Sequence, residues 1–356
     1  MRVADERCDD ERQPRDDAGR TFRRDDADSG RVPPHERDLL VRLGGYPAPV
    51  RALLIVNPKA TTTSVRGRDV LARALGSDLK LDVAETERRG HAIELAARAV
   101  AEAYDLVVVL GGDGTVNEVV NGLLRDSGGP SADQPALAVV PGGSTNVFHR
   151  ALDIPRDPVE ATGAILDALR ERRSRWLGLG QVDDRWFTFT AGLGLDADAV
   201  RVVEQARAKG RSAAPTRYAL AAIRRFYAGD RRQPALTLHR PGEEPEPGLF
   251  LAIVGNTAPW TYFGTRPVFL TPNASFDRGL DLIAMRRLRT IGTAWAAAGM
   301  LGGAGIRGRS SLVLEDLQEF SLVADRPVHL QVDGDYLGER EAATFRSVPA
   351  AIRVIV

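Results

Sequence analysis

Cysteine is almost missing from this chain: Cys8 is its single cysteine in 356 residues. An internal disulfide framework is therefore excluded, and a reducing compartment fits. Long apolar runs are missing too. The longest small and apolar stretch, Ala294 to Ile306, spans thirteen Gly-rich residues, short of the roughly twenty a membrane-spanning helix needs. The start, Met-Arg-Val-Ala-Asp-Glu, has no hydrophobic signal core, so the expectation is against secretion and for a cytoplasmic protein. Net charge is zero, and without a basic excess nothing global points to nucleic acid. Lysine is scarce: Lys59, Lys80 and Lys209 are the only lysines among 48 basic residues, which draws attention to Lys59.

What the chain does have is alternation. The first 42 positions carry 22 charges of mixed sign and little apolar periodicity, so residues 1–47 are expected to be a disordered charged tail. From Val50 onward strands and helices alternate: Ala52 to Val56, a helix over Arg68 to Leu75, a strand over Leu79 to Ala84, an amphipathic helix over Gly90 to Tyr104, and a helix over Val159 to Leu169. Repeated β-then-α implies a mostly parallel, doubly wound sheet with its ligand at the carboxyl ends of the strands. Beyond the charge run Arg170 to Arg175 the texture changes. Trp176 to Val182, Arg185 to Ala191, Ala235 to Arg240, Leu249 to Val254, Gly279 to Met285, Glu319 to Leu322, Val328 to Val332 and Ala351 to Val356 read as strands between Gly and Pro turns. They imply a second, mainly antiparallel β domain. A basic helical region, Val200 to Arg232, interrupts them, with nine Arg or Lys against Glu204 and Asp230.

Two Gly-rich turns carry the chemistry. The apolar run Leu106 to Val109 leads into Leu110-Gly111-Gly112-Asp113-Gly114-Thr115-Val116-Asn117-Glu118, and Ala138-Val139-Val140 leads into Pro141-Gly142-Gly143-Ser144-Thr145-Asn146. Glycines let backbone N–H groups approach an anion, and a helix starting after the turn adds its positive end, so the pair reads as a nucleotide phosphate site. Thr115 with Glu118 forms a possible capping box for that helix. A carboxylate at Asp113 beside polyphosphate calls for a metal, a lysine or an incoming hydroxyl proton. For the first loop alone, a tight turn closed by an Asx bond is the plain alternative.

Taken in order, Asn57-Pro58-Lys59, Thr86, Gly111 to Glu118, Pro141 to Asn146, Asp277-Arg278-Gly279-Leu280-Asp281 and Asp333-Gly334-Asp335 resemble the soluble diacylglycerol kinase family, which also includes bacterial lipid kinases and sphingosine and ceramide kinases. The resemblance spans about residues 50–356. It implies a nucleotide-binding α/β domain like that of NAD kinases and phosphofructokinases (48–173, with about 340–356 returning), then a β-rich lipid domain (174–339), with ATP in the cleft between. By the same resemblance Asn57, Pro58, Lys59, Thr86, Gly111, Gly112, Asp113, Gly114, Thr115, Asn117, Glu118, Gly142, Gly143, Ser144 and Asn146 would hold the nucleotide. Asp277, with backbone carbonyls near Ala274 and Gly279, would bind a structural Mg²⁺, while Asp281 supports that turn. Asp333 would deprotonate the lipid hydroxyl with Asp335 as its partner, and Asp113 would organise a catalytic Mg²⁺ through water. A competing assignment makes Asp113 the base.

The pattern is not followed everywhere. Ala60-Thr61-Thr62-Thr63-Ser64 replaces the usual Ser-Gly after Asn-Pro-x, Val147 stands where an acid is usual, and Asp335 stands where glutamate is usual. Asp196, in Gly194-Leu195-Asp196, is a candidate for orienting lipid head hydroxyls or a plain turn former. Between Leu282 and Leu314 no acid occurs, and Arg286, Arg287, Arg289, Arg307 and Arg309 accompany Trp295, Met300 and Leu301. That mixture suits peripheral, reversible contact with an anionic membrane, or an ordinary solvated basic face. Trp260-Thr261-Tyr262-Phe263 could line an acyl channel. The expected activity is ATP-dependent phosphorylation of a primary lipid hydroxyl, diacylglycerol first, with sphingoid-base or ceramide kinase, NAD kinase and a non-catalytic lipid or nucleotide module as alternatives. A homodimer is compatible with this reading; a nucleic-acid partner is not expected.

Overall fold

A computed structural model describes residues 50–60, 64–125, 131, 133–194, 233–263, 265–287, 302–303, 308 and 310–356. The charged tail, Asp196, the basic region 200–232 and most of the arginine-bearing stretch after 287 lie outside the described residues.

Four parallel strands form one end of the sheet: β1 (Arg51–Val56), β2 (Lys80–Glu85), β3 (Leu106–Gly111) and β4 (Ala136–Pro141), in the order β2-β1-β3-β4. All six residues of β3 and of β4 are buried, which requires cover on both faces. The period-2 geometry of a strand divides them. Leu53, Ile55, Val107, Val109, Leu137 and Val139 pack on one face against helices α2 (His91–Ala101) and α3 (Asp113–Leu123). Ala52, Leu54, Val56, Val108, Leu110 and Val140 pack on the other against α1 (Val65–Gly76) and, beyond the five-residue α4 (Val147–Ala151), α5 (Pro158–Arg170).

Helix starts follow local chemistry. Ser64 caps α1 by accepting from the Gly67 N–H at 3.0 Å, and Asp157 caps α5 from Val159 and Glu160 with Pro158 opening the helix. One expected cap is different. Helix α3 begins at Asp113 with Gly112 as N-cap, so Thr115 lies inside its first turn. Glu118, freed from a capping box, accepts instead from Gly90 N–H at 2.8 Å and Ala92 N–H at 3.2 Å, closing the start of the neighbouring α2. Gly122 lets the two helices touch: a Cβ there would lie 2.3 Å from the Ile93 carbonyl oxygen.

The second half adds antiparallel strands β5 (Arg175–Val182), β6 (Arg185–Phe187), β7 (Thr190–Gly194), β8 (Leu236–His239), β9 (Glu246–Leu249), β10 (Leu251–Gly255), β13 (Leu280–Met285), β14 (Ser311–Leu317), β15 (Glu319–Val332) and β16 (Asp335–Val354). A separate hairpin pairs β11 (Thr261–Phe263) with β12 (Arg266–Val268). The described strands other than that hairpin make one sheet, whose main path is β14-β13-β10-β7-β15-β16-β4-β3-β1-β2. Its second core holds Phe187, Phe320 and Phe345, the last two stacked with centroids 5.1 Å apart. Strand β16 shifts register against β5 between Val348 and Ile352, and its end lies beside β4, with Val354 opposite Leu137. Fold class is therefore α/β with a strand-rich antiparallel second half. Among the described residues no helix is long and apolar enough to cross a membrane.

Three strand expectations are corrected. Glu319 to Leu322 and Val328 to Val332 are one strand, β15, because a register irregularity between Val323 and Val328 absorbs the polar interval. Arg185 to Ala191 is two strands, broken at Thr188 and Phe189, for a reason that belongs to the site. Leu249 to Val254 is likewise split, with Leu249 closing β9 and Leu251 opening β10.

Candidate active site

The carboxyl ends of β1, β2, β3 and β4 bring Asn57, Thr86, Gly111 to Thr115 and Gly142 to Asn146 to one edge of the parallel sheet. Asn57 organises the first turn. Its Oδ1 accepts from the Lys59 N–H and its Nδ2 donates to Thr115 Oγ1, both at 3.0 Å. Pro58 and Lys59 are exposed, Thr86 is buried, and Ser144 is exposed. Thr61 to Thr63 lie outside the described residues.

The glycines of the two loops serve each other. A Cβ on Gly142 would stand 2.9 Å from Gly111 Cα, and one on Gly143 would stand 2.8 Å from Gly112 Cα. Gly142 N–H donates to Gly111 O at 2.8 Å. The loops are thus held backbone against backbone, which glycine alone permits. Asn146, at φ 48, closes its loop by donating to Gly143 O and accepting from Gly143 N–H. Gly114, by contrast, has open space around its Cβ position.

Asp113 opens α3 and is half-buried. The Phe148 N–H donates to its Oδ1 at 3.1 Å. Burial pushes its carboxyl up to about 6, helped by the negative charge of Asp333 and opposed by the Val147 and Phe148 N–H groups and by Arg150. A carboxyl tuned that close to neutrality suits proton transfer.

Asp333 is different. It is buried at 6% exposure, in the two-residue turn joining β15 to β16, where Val332 faces Asp335. Both turn residues have positive φ, 47 for Asp333 and 83 for Gly334, the signature of a tight Asp-Gly hairpin. Its Oδ1 accepts from Phe189 N–H and Thr190 N–H at 3.0 Å. Its Oδ2 accepts from Thr188 N–H at 2.7 Å, Thr188 Oγ1 at 2.8 Å and Asn117 Nδ2 at 2.7 Å. These five donors explain why the chain breaks between β6 and β7: the amides of Thr188 and Phe189 turn toward the carboxylate. Burial raises the Asp333 carboxyl above the usual carboxylate range, and the amides of Thr190, Thr188 and Phe189 oppose that shift. Two carboxylate oxygens offer about four acceptor positions, so five donors leave none for a substrate proton. These five bonds weigh against the expected role of Asp333 as base.

Two further expected site residues lie close to it. Asn117 is fully buried and binds Asp333 and the Trp186 carbonyl, so its side chain is structural. Asp335 pairs with Arg89 across 3.4 Å, and the donors to Asp333 come from elsewhere. Sequence reading missed Arg185, whose Nη2 donates to Asn117 Oδ1 at 2.5 Å, and Asn121, which joins Asn117 to Trp186. It also missed Arg150, whose guanidinium carbon lies 3.1 Å from the centroid of the Tyr262 ring. Its place at the fourth position of the helix after the second Gly loop was the available signal.

Asp277, Ala274 and Gly279, expected to form a metal turn, share the loop that precedes β13. Asp277 is ion-paired with Arg175, and Gly279 N–H donates to Asp316 Oδ1 at 2.6 Å. Ala274 is buried, with its N–H on Thr271 O. Among the described residues no three His, Cys, Asp or Glu come together as a metal centre.

Comparison with known proteins agrees with this geometry. Residues 51–179 match the model of the diacylglycerol kinase catalytic domain. The chain is 36% identical over 153 residues to a diacylglycerol kinase of Bacillus subtilis (strain 168), covering 40% of this chain and 46% of that one. It is 37% identical over 145 residues to a diacylglycerol kinase of Staphylococcus aureus (strain JH9), covering 38% and 41%. Each match thus spans less than half of the curated relative. A solved diacylglycerol kinase structure from Bacillus anthracis str. Sterne superposes with a TM-score of 0.60 over 86% of this chain and 96% of that one, at 18% identity. A second structure from the same organism gives 0.65 at 20% identity over 86% and 97%. At those identities the superpositions speak for the fold.

Proposed function

We propose that this chain, whose residues 51–179 match the model of the diacylglycerol kinase catalytic domain, is an ATP-dependent lipid kinase whose base is Asp113. Its acceptor is the primary hydroxyl of a membrane lipid, with diacylglycerol first in line and phosphatidic acid as product. Support for diacylglycerol over sphingoid bases, ceramide or a pyridine nucleotide comes from the relatives' own description as diacylglycerol kinases.

The single observation that carries the reading is Asp113. It stands where the two Gly loops meet the start of α3, lightly bonded and pushed up to about 6. Phosphoryl transfer needs the hydroxyl in line with the terminal phosphorus and a carboxylate to take its proton. The lipid oxygen forms the new P–O bond while the bond to the ADP oxygen breaks. The hydroxyl proton passes to Asp113, and ADP departs with the electron pair. Mg²⁺ bound with ATP would neutralise phosphate charge, and backbone N–H groups of the Gly loops and the N-terminal end of α3 would hold the phosphates. Asn57, Lys59 and Thr86 frame that edge of the sheet. An anionic membrane surface, met reversibly, is the proposed source of the lipid.

Radiolabelled ATP with mixed micelles of each lipid tests this. Turnover with diacylglycerol, lost in Asp113→Asn, is the expected result. Tight ATP binding with no turnover of any lipid would sink the kinase reading in favour of a binding module.

A further inference from the structure

We infer that Arg150 supplies the fixed positive charge that faces the phosphoryl group during transfer, held in place by the ring of Tyr262. The inference deepens the lipid-kinase reading and rests on it for the identity of the acceptor, although not for the placement of the charge.

Three observations converge. Helix α4 follows the second Gly loop, and its first turn holds Asp113 through the Phe148 N–H. Arg150 is two residues further along the same helix, and each of the two groups feels the other's charge. One short element therefore sets both the acid and the cation. On the opposite side, the β11–β12 hairpin provides the seat. The guanidinium lies 3.1 Å from the Tyr262 ring centroid, and Nη2 reaches Thr265 O at 3.4 Å. A guanidinium beside an aromatic ring is attracted by the ring's quadrupole, and its planar fork matches phosphate oxygens.

Chemistry supplies the need. Negative charge spreads over the equatorial oxygens of the transferred group, and a preorganised cation in a partly dry site stabilises it far better than one in water. Lys59, in the first turn, is exposed, whereas Arg150 is partly buried, with burial and nearby Arg156 weakening its hold on its proton. The other charges around Tyr262 are Arg156 and Asp153. An incoming phosphoryl group would relieve the crowding of like charge between Arg150 and Arg156.

The test compares binding of ADP with and without aluminium fluoride, a mimic of the transferred phosphoryl group, by calorimetry on the full chain, alongside lipid turnover. Wild type should bind ADP more tightly with the fluoride. Arg150→Ala should keep its affinity for ADP alone and lose the fluoride-dependent gain by about tenfold or more. Its kcat should fall about a hundredfold, with partial recovery on adding guanidinium ion. Arg150→Lys, which keeps the charge without the planar fork, should sit between the two. Tyr262→Leu should lose several-fold through the freed guanidinium. If Arg150→Ala and Arg150→Lys both keep the full fluoride gain, or wild type shows none, the assignment of Arg150 is overturned. A fluoride gain that depends on Arg150 while no lipid is turned over supports the cation and rejects the lipid acceptor.

Discussion

Asp113 and Asp333 each stand just past the end of a strand, β3 and β15, and burial raises the proton affinity of both. Asp113 has the Phe148 N–H on one oxygen and lies half-open at the edge of the parallel sheet. Asp333 has five donors from Asn117, Thr188, Phe189 and Thr190 and is buried where the antiparallel strands meet α3. A motif that places an aspartate near a site thus does not say whether the carboxylate reacts or holds the frame. The donor count does. A carboxylate saturated by protein N–H and O–H groups is an internal tie, and a lightly bonded one tuned toward neutrality is available for chemistry.

The strongest way to break this comparison is to neutralise each aspartate in turn. Asp113→Asn should lower kcat by about 10²- to 10⁴-fold while leaving the thermal midpoint near wild type; activity within tenfold of wild type would remove Asp113 as base. Asp333→Ala should act on stability. It strands buried donors at about 1–3 kcal/mol each, non-additively, so urea unfolding should show a loss of several kcal/mol. If that variant kept its stability and lost only kcat, Asp333 would be chemical after all. Gly122→Ala touches scaffold alone: its Cβ would meet the Ile93 carbonyl oxygen at 2.3 Å, and overpacking of this kind costs about 1–3 kcal/mol, readable as a lower denaturant midpoint with kcat intact. The smallest effect belongs to the Arg175–Asp277 pair. Arg175→Ala should cost under about 1 kcal/mol, as exposed pairs do, and with Asp277 held by Arg175 a chelator should leave the thermal midpoint of the nucleotide-free protein unmoved; a large fall on chelation would place a metal at that turn.

Periodicity made much of the fold legible. Strands such as β3 and β4 are apolar at nearly every position because both faces are covered, and the helical spacing over Arg68 to Leu75 and Val159 to Leu169 falls inside α1 and α5. The rest depended on contacts distant in sequence. Nothing local in Arg185 to Ala191 marks a break at Thr188 and Phe189, because its cause is a carboxylate more than 140 residues away. Strand β14 escaped notice because its pairing with β13 comes from the far edge of the sheet. In the site, the Gly-rich turns pointed to the right place for only part of the right reason: Gly142 and Gly143 are small so that the loops can touch each other. Thr115, Asn117 and Glu118 belong to the same motif, yet their side chains bind Asn57, Asp333 and the start of α2. For Arg150 the local signal was its place after the second Gly loop, while its partner Tyr262 comes from a hairpin more than 100 residues further on.

The central claim is that Asp113 takes the proton, and the pH dependence of kcat/KM tests it most directly. A base must be ionised to act, so a carboxyl pushed up to about 6 predicts activity that rises through an apparent pKa near 6 and levels off above it. A profile flat from about pH 8 down to about pH 5, as for a carboxylate ionised throughout, would contradict the assignment.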